Sequence, residues 1–251
     1  MKRFGLIGHP LGHSFSKAYF TKKFKKEGLI CEYLNFDIDE ISLIKGIIAD
    51  HPDLMGLNVT IPYKEAVFPY LDEIDAEAAE VGAVNTVKVF PDGRLKGFNT
   101  DILGVRTTLQ STLRQCEKHD KATTYPALIL GTGGASKAVQ YVLRKNDIPF
   151  HVVSRNPEKG HFTYQELTPE IIKEHLSIIN ATPVGMAPHI DEAPILPYES
   201  INSRHTLFDL IYNPEETLFL KRGRERGAII INGLAMLHAQ AEASWSIWTK
   251  E

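Results

Sequence analysis

The sequence predicts an α/β protein of two domains facing each other across a cleft, and three observations predict it. Short apolar runs alternate with amphipathic stretches along the chain. Near its middle, a glycine-rich loop stands directly between an apolar run and an amphipathic one. The apolar period lapses from Ser111 to Tyr125, where the composition turns polar. A length of 251 residues suits one large domain or two modest ones.

In the first half, strands are expected at Lys2 to Gly8, Glu32 to Phe36, Leu54 to Val59 and Val84 to Phe90, and helices at Ser16 to Glu27, Ile41 to His51, Lys64 to Tyr70 and Asp75 to Val81. Pro91-Asp92-Gly93-Arg94 is a turn signal, so Leu95 to Phe98 should return as a hairpin at a sheet edge. In the second half, strands are expected at Ala127 to Leu130, Phe150 to Val153, Ile178 to Ala181, Leu207 to Leu210 and Ala228 to Ile231, with helices at Lys137 to Asn146 and Pro169 to His175. Met236 to Thr249 should form a last helix, with Leu237, Ala241, Trp245 and Trp248 on one side, folding back onto the first domain. The first boundary is expected near Gly104 to Gln110. The expected domains are thus 1–103 with the helix 236–251, and 104–235.

Composition excludes several function classes. Apolar residues make up 43% and charged residues 24%, near the globular average. With 28 basic against 31 acidic side chains, the net charge of -3 provides no general basic field for nucleic acid or an anionic membrane. Cys31 and Cys116 stand far apart, which rules out a disulfide framework or a four-cysteine zinc site. His9 and His13 lack metal-ligand spacing, so no metal is expected, and no GxSxG elbow occurs. Gly8-His9-Pro10 ends the first apolar run too early for a signal peptide, and no stretch is long enough to span a bilayer. A soluble cytoplasmic protein is expected.

Gly131-Thr132-Gly133-Gly134-Ala135-Ser136 has the strand-loop-helix setting of a dinucleotide site: small residues let backbone approach a pyrophosphate, and the helix N-terminus offers N–H groups to it. About twenty residues on, where an NAD site places an acid, stand Ser154, Arg155 and Asn156, with Lys159 close behind. A guanidinium there favours the 2'-phosphate of NADP, and a solvated surface arginine is the plainer reading.

Asn58-Val59-Thr60, Asn85-Thr86 and Asn99-Thr100-Asp101 each fall at the end of an apolar segment, where open α/β sheets form their ligand crevice. Asn and Thr donate and accept, which suits a small ligand with several hydroxyls, although each loop taken singly also reads as a turn cap. Lys64 and Asp101 enter the same region, and a lysine with a carboxylate partner can move a proton on a substrate hydroxyl. Ser14 and Ser16 precede a helix, where they could hold a carboxylate, and Ser16 could equally be an N-cap.

With these residues in place, the chain resembles the shikimate dehydrogenases over nearly its whole length. The resemblance is carried by His13-Ser14-Phe15-Ser16, Asn58 to Lys64, Gly82 to Thr86, Asn99-Thr100-Asp101, Gly131 to Ser136, Asn180-Ala181-Thr182-Pro183-Val184-Gly185-Met186 and Asn232 to Ala241, in that order. It implies reversible NADPH-dependent reduction of 3-dehydroshikimate to shikimate in the chorismate route to aromatic amino acids, by an N-terminal substrate domain and a Rossmann-like NADP domain. It further implies Lys64 and Asp101 as the catalytic pair, Ser14 and Ser16 on the substrate carboxylate, and Thr60, Asn85, Asp101 and Gln240 on its ring hydroxyls. Tyr212 would face substrate, Leu210 and Gly233 would lie beside the nicotinamide, and Asn180 and Thr182 along the cofactor. The working unit would be a monomer or homodimer. The chain departs from the family pattern at Lys17, where relatives carry Pro, and at Ser154-Arg155-Asn156, where they carry Asn-Arg-Thr. A quinate/shikimate dehydrogenase of looser choice and a catalytically silent binding protein on the same fold are the alternative readings.

Overall fold

The computed structural model describes residues 1–12, 15–116 and 125–250. The chain divides into two compact units, one of Met1–Thr100 with Gln240–Glu251, the other of Asp101–Ala239.

The first unit contains β1 (Lys2–Gly8), α1 (Phe15–Glu27), β2 (Cys31–Asp37), α2 (Ile44–Asp50), β3 (Leu54–Val59), α3 (Tyr63–Ala66), β4 (Glu73–Ile74), α4 (Ala76–Val81), β5 (Thr86–Val89) and β6 (Leu95–Phe98). Its strands form one sheet in the order β2-β1-β3-β5-β6-β4. The first three are parallel, whereas β5 runs antiparallel to both β3 and β6. The predicted hairpin is present, and β4 adds an edge strand that two residues are too few to announce by period. The expected helix from Lys64 to Tyr70 is split at Val67 into α3 and a 3-10 turn, Phe68–Tyr70, at the residue pair that includes Pro69, whose nitrogen carries no proton to donate.

One face of this sheet packs on a cluster that includes Phe4, Phe20, Phe24, Tyr33 and Trp248. The Phe20 and Tyr33 rings stack at 4.8 Å, and Phe4 and Trp248 at 5.1 Å. Gly56 is required here, because a β-carbon would run into the Trp248 indole. Trp248 Nε1 donates to Val87 O at 3.0 Å, so the C-terminal helix is fastened to the sheet by burial and by a directed bond.

The second unit contains α5 (Asp101–Cys116), β7 (Ala127–Leu130), α6 (Gly134–Lys145), β8 (Phe150–Val153), α7 (Pro169–Glu174), β9 (Ser177–Asn180), β10 (Thr206–Asp209), α8 (Leu218–Glu225) and β11 (Ile229–Ile231), and α9 (Leu234–Thr249) leads from it into the first unit. Its sheet is wholly parallel, in the order β11-β10-β9-β7-β8. Such strands are covered on both faces and therefore read as continuous apolar runs, as Ala127–Leu130 does with every residue buried.

Two further features differ from the sequence-based expectation. The units part after Thr100, not within Gly104–Gln110, because α5 runs continuously through that stretch and packs on α6. Its buried Ile102, Val105 and Leu109 are spaced by three and four, a helical stripe diluted by neighbouring threonines. α8 was not anticipated either: Thr217 caps it, accepting from Leu220 N at 3.3 Å, and Phe219 and Leu220 bury its inner face.

Candidate active site

In the first unit the topology explains why three Asn-Thr segments meet. β1, β2 and β3 end at one edge of the layer; because β5 is antiparallel to β3, its start lies beside the end of β3, and the end of β6 lies beside the start of β5. Asn58, Thr86 and Phe98 are register partners across these strands. Asn58, Thr60, Asn85 and Thr100 therefore share one end of one sheet.

Each is held by short polar contacts. Asn85 Oδ1 accepts the Thr100 backbone N–H at 2.7 Å, the Thr100 hydroxyl at 3.1 Å and the Thr86 hydroxyl at 3.2 Å, which ties the oxygen to this end of the sheet. Asn99 Nδ2 donates to Ala83 O at 2.8 Å, bracing the turn between α4 and β5. That turn is set by α4 itself: Asp75 caps it, accepting from Glu77 N at 3.0 Å, and Gly82 closes it in the left-handed region at φ 70°. Asn58 has both ends of its amide engaged, Oδ1 accepting from the Tyr33 hydroxyl at 2.7 Å and Nδ2 donating to Ser244 Oγ at 2.9 Å.

Lys64 lies in α3 and is half-buried. Its backbone is fixed from two sides, because Lys64 O accepts from Val84 N at 2.7 Å and the adjoining Tyr63 hydroxyl donates to Ile38 O at 2.6 Å. Ser16, half-buried in the first turn of α1, shares a side-chain hydrogen bond with Tyr33. Ser14 lies outside the described residues. Gln240, half-buried, is on α9 one turn before Ser244. Asp101, buried, is the first residue of α5 and directly follows Thr100.

In the second unit the strand order places β7 beside both β8 and β9, the switch point where open α/β sheets take their ligands. Gly131 sits there at φ 104°, and a β-carbon would stand 2.9 Å from Thr182 Cγ2, so the loops after β7 and β9 touch only because the side chain is absent. Thr132 and Ala135 are half-buried, and Gly133 is the exposed N-cap of α6, bonded by no side chain, with Gly134 opening the helix. This is a cradle that fits a pyrophosphate. Arg155, Asn156 and Lys159 are exposed after β8. Ser154 is buried, its Oγ accepting from Asn156 N at 3.1 Å, and Asn156 Oδ1 accepts from Glu158 N at 2.9 Å, so the two polar neighbours shape the turn while the basic pair remains exposed. A dianionic 2'-phosphate suits that pair.

One buried residue here was not anticipated from the sequence. Asp209, fully buried at the end of β10, accepts from Thr217 Oγ1 at 2.6 Å, Ile211 N at 3.0 Å and Asn180 Nδ2 at 3.1 Å. Burial pushes its pKa up to about 6, with these three donors opposing the rise. Asn180 Oδ1 in turn accepts from Thr182 Oγ1 at 2.6 Å, and Gly233 N donates to Ile211 O at 2.9 Å. The loops carrying Thr182, Leu210 and Gly233 thus share Asp209 as their tie. Gly233 packs so closely on Leu210 O that a β-carbon cannot be accommodated. Tyr212 is half-buried beyond this tie, and burial raises the pKa of its hydroxyl. Among the described residues no group of three or more His, Cys, Asp or Glu side chains could hold a metal ion, and no helix is long and apolar enough to cross a membrane.

Comparison with known proteins identifies the family. A family model described as the shikimate dehydrogenase substrate binding domain matches residues 6–87. Over 264 residues the chain is 41% identical to a shikimate dehydrogenase (NADP(+)) of Methanococcus maripaludis strain C6, covering 99% of this chain and 91% of that protein. A shikimate 5-dehydrogenase of Thermus thermophilus, solved in complex with NADP(H) and shikimate, superposes with a TM-score of 0.82 at 32% identity, over 99% of this chain and 94% of the other. A quinate dehydrogenase of Corynebacterium glutamicum in complex with NAD superposes with a TM-score of 0.85 at 26% identity, over 99% and 93%. Identity of this order across nearly the whole of both sequences leads to one conclusion: the chain belongs to the shikimate dehydrogenase family.

Proposed function

We propose that this chain interconverts shikimate and 3-dehydroshikimate with NADP(H), the unit of Met1–Thr100 with Gln240–Glu251 serving the substrate and that of Asp101–Ala239 the dinucleotide. The observation that carries this reading is the meeting of Asn58, Thr60, Asn85 and Thr100 at one sheet end, close in sequence to Lys64 and Asp101, in a chain of this family. When bound, the nicotinamide supplies the hydride acceptor or donor. All else is the work of the protein's own groups.

Ser14 and Ser16 bind the substrate carboxylate; Thr60, Asn85, Asp101 and Gln240 take the ring hydroxyls, and Asn58 and Tyr212 complete the surroundings. In the direction of reduction, Lys64 gives a proton to the oxygen at C3 as it becomes an alcohol. In oxidation it takes that proton back. Asp101 keeps the ammonium and the neighbouring hydroxyl in line. Gly131, Thr132, Gly133, Gly134 and Ala135 hold the pyrophosphate; Arg155 and Lys159 hold the 2'-phosphate on a turn shaped by Ser154 and Asn156. Asn180, Thr182, Leu210 and Gly233 line the nicotinamide half. A monomer or homodimer in the cytoplasm is the setting this reading expects, because the reaction draws on a soluble pool of reduced nicotinamide.

Quinate with NAD is the second reading, favoured by the likeness to the quinate dehydrogenase. The exposed Arg155, with no acid at Ser154 or Asn156, favours NADP instead. Absorbance of the reduced nicotinamide, followed with shikimate or quinate and NADP or NAD, separates the readings. Turnover is expected with shikimate and NADP; turnover confined to quinate and NAD would overturn the proposal.

A further inference from the structure

A row of residues, half-buried at Asn35 and Asn58 and buried at Leu6 and Thr86, crosses the sheet of the first unit on the face that packs against Phe20 and Trp248. Leu6 has Asn35 and Asn58 as its register partners, and Asn58 has Thr86. Polar groups on such a face are costly unless bonded, and the group that joins Asn58 and Thr86 is Ser244 of α9, with no exposed surface. Its hydroxyl lies 2.9 Å from Asn58 Nδ2, 2.9 Å from Thr86 Oγ1 and 3.0 Å from Gln240 O.

The direction of these bonds follows from which atoms can only accept. Asn58 Nδ2 also reaches Asn85 O at 3.4 Å, a backbone carbonyl, which fixes it as the nitrogen. It therefore donates to Ser244 Oγ, whose own proton goes to Gln240 O. Thr86 Oγ1 shares a hydrogen bond with Ser244 Oγ and also reaches Asn85 Oδ1, which can only accept, at 3.2 Å. Thr100 Oγ1, 3.2 Å from Thr86 Oγ1, directs its proton to Asn85 Oδ1. One hydroxyl thus joins α9 to the end of β3 and to the start of β5.

We infer that Ser244 is a positioning residue for the substrate: it holds Gln240 and, through Thr86, the Asn85–Thr100 pair in one fixed arrangement. The inference rests on the shikimate reading above, since Gln240 and Asn85 are there the groups that meet ring hydroxyls. Ser244 itself touches no reacting atom. Its loss should therefore act on shikimate and leave the dinucleotide untouched.

The test compares wild type with Ser244→Ala, with Thr86→Val, which removes the neighbouring hydroxyl at nearly constant volume, and with Ser246→Ala as a control on the same helix. Both Ser244→Ala and Thr86→Val are expected to raise the KM for shikimate about tenfold, the equivalent of one net hydrogen bond, with the KM for NADP unchanged. Their double variant should fall short of the product of the two effects, because they break one circuit. Ser244→Cys should recover part of the loss. If both single variants lower the melting temperature while the KM for shikimate stays at the wild-type value, Ser244 is purely structural and the inference is wrong. Absence of shikimate turnover in the wild type would instead remove the reading on which the inference rests.

Discussion

Asp209 is a carboxyl with no exposed surface, held by a hydroxyl, a backbone N–H and an amide. Its folded pKa of about 6 lies above the ordinary value of 3.8, so the folded state binds the proton more tightly than the unfolded chain does. Between those values stability falls as pH rises, and the cost is fully present above about 6. Asp209→Asn keeps the shape and cannot ionise. Chemical denaturation at pH 4.5 and pH 7.5 should show the variant gaining on the wild type by about 2 kcal/mol at the higher pH. A difference that does not change with pH would mean that the carboxyl ionises normally despite its burial. Asp209 ties together the loops around it, so a purely apolar replacement should cost more than the charge does: it would orphan the Asn180 and Thr217 donors.

At the scale of elements, the glycine loop after β7 makes the sharpest claim. Gly131→Ala places a β-carbon at φ 104° and against Thr182, straining the turn that presents N–H groups at the start of α6. Binding of NADP, followed by nicotinamide fluorescence, should weaken at least tenfold, about 1.4 kcal/mol, while shikimate binding measured by calorimetry is unchanged. Equal losses for both ligands would point to general unfolding. This loop was legible in the sequence because strand, glycines and helix are contiguous, and the three Asn-Thr segments were legible as ends of apolar runs. Their meeting was not, since it depends on β5 reversing direction beside β3, a fact of topology with no local signature. α5 was hidden by Thr107, Thr108 and their polar neighbours, whose composition reads as a linker although Ile102, Val105 and Leu109 hold the helical stripe. Ser244 and Asp209 were illegible for a further reason: each matters through partners many residues away, Thr86 in one case and Asn180 in the other.

At the scale of the whole molecule, one chain carries two sites with different demands. On the proposed reading, the first unit takes the ring hydroxyls with donors and acceptors fixed in a hydrogen-bonded circuit, and the second takes phosphates with backbone N–H groups and an exposed basic pair. Each choice follows the chemistry of its ligand: hydroxyls are distinguished by geometry, phosphates by charge. Arg155→Ala should accordingly reduce the preference for NADP over NAD by about 10- to 100-fold, the range of a charge-assisted bond, without altering the KM for shikimate. That Lys64 moves the proton at the substrate oxygen is tested most sharply by kcat for shikimate oxidation by NADP in wild type and Lys64→Ala, with shikimate binding of both followed by calorimetry. A kcat reduced by at least about 100-fold is expected in a variant that stays folded and still binds shikimate. A variant that turns over at the wild-type rate would contradict it.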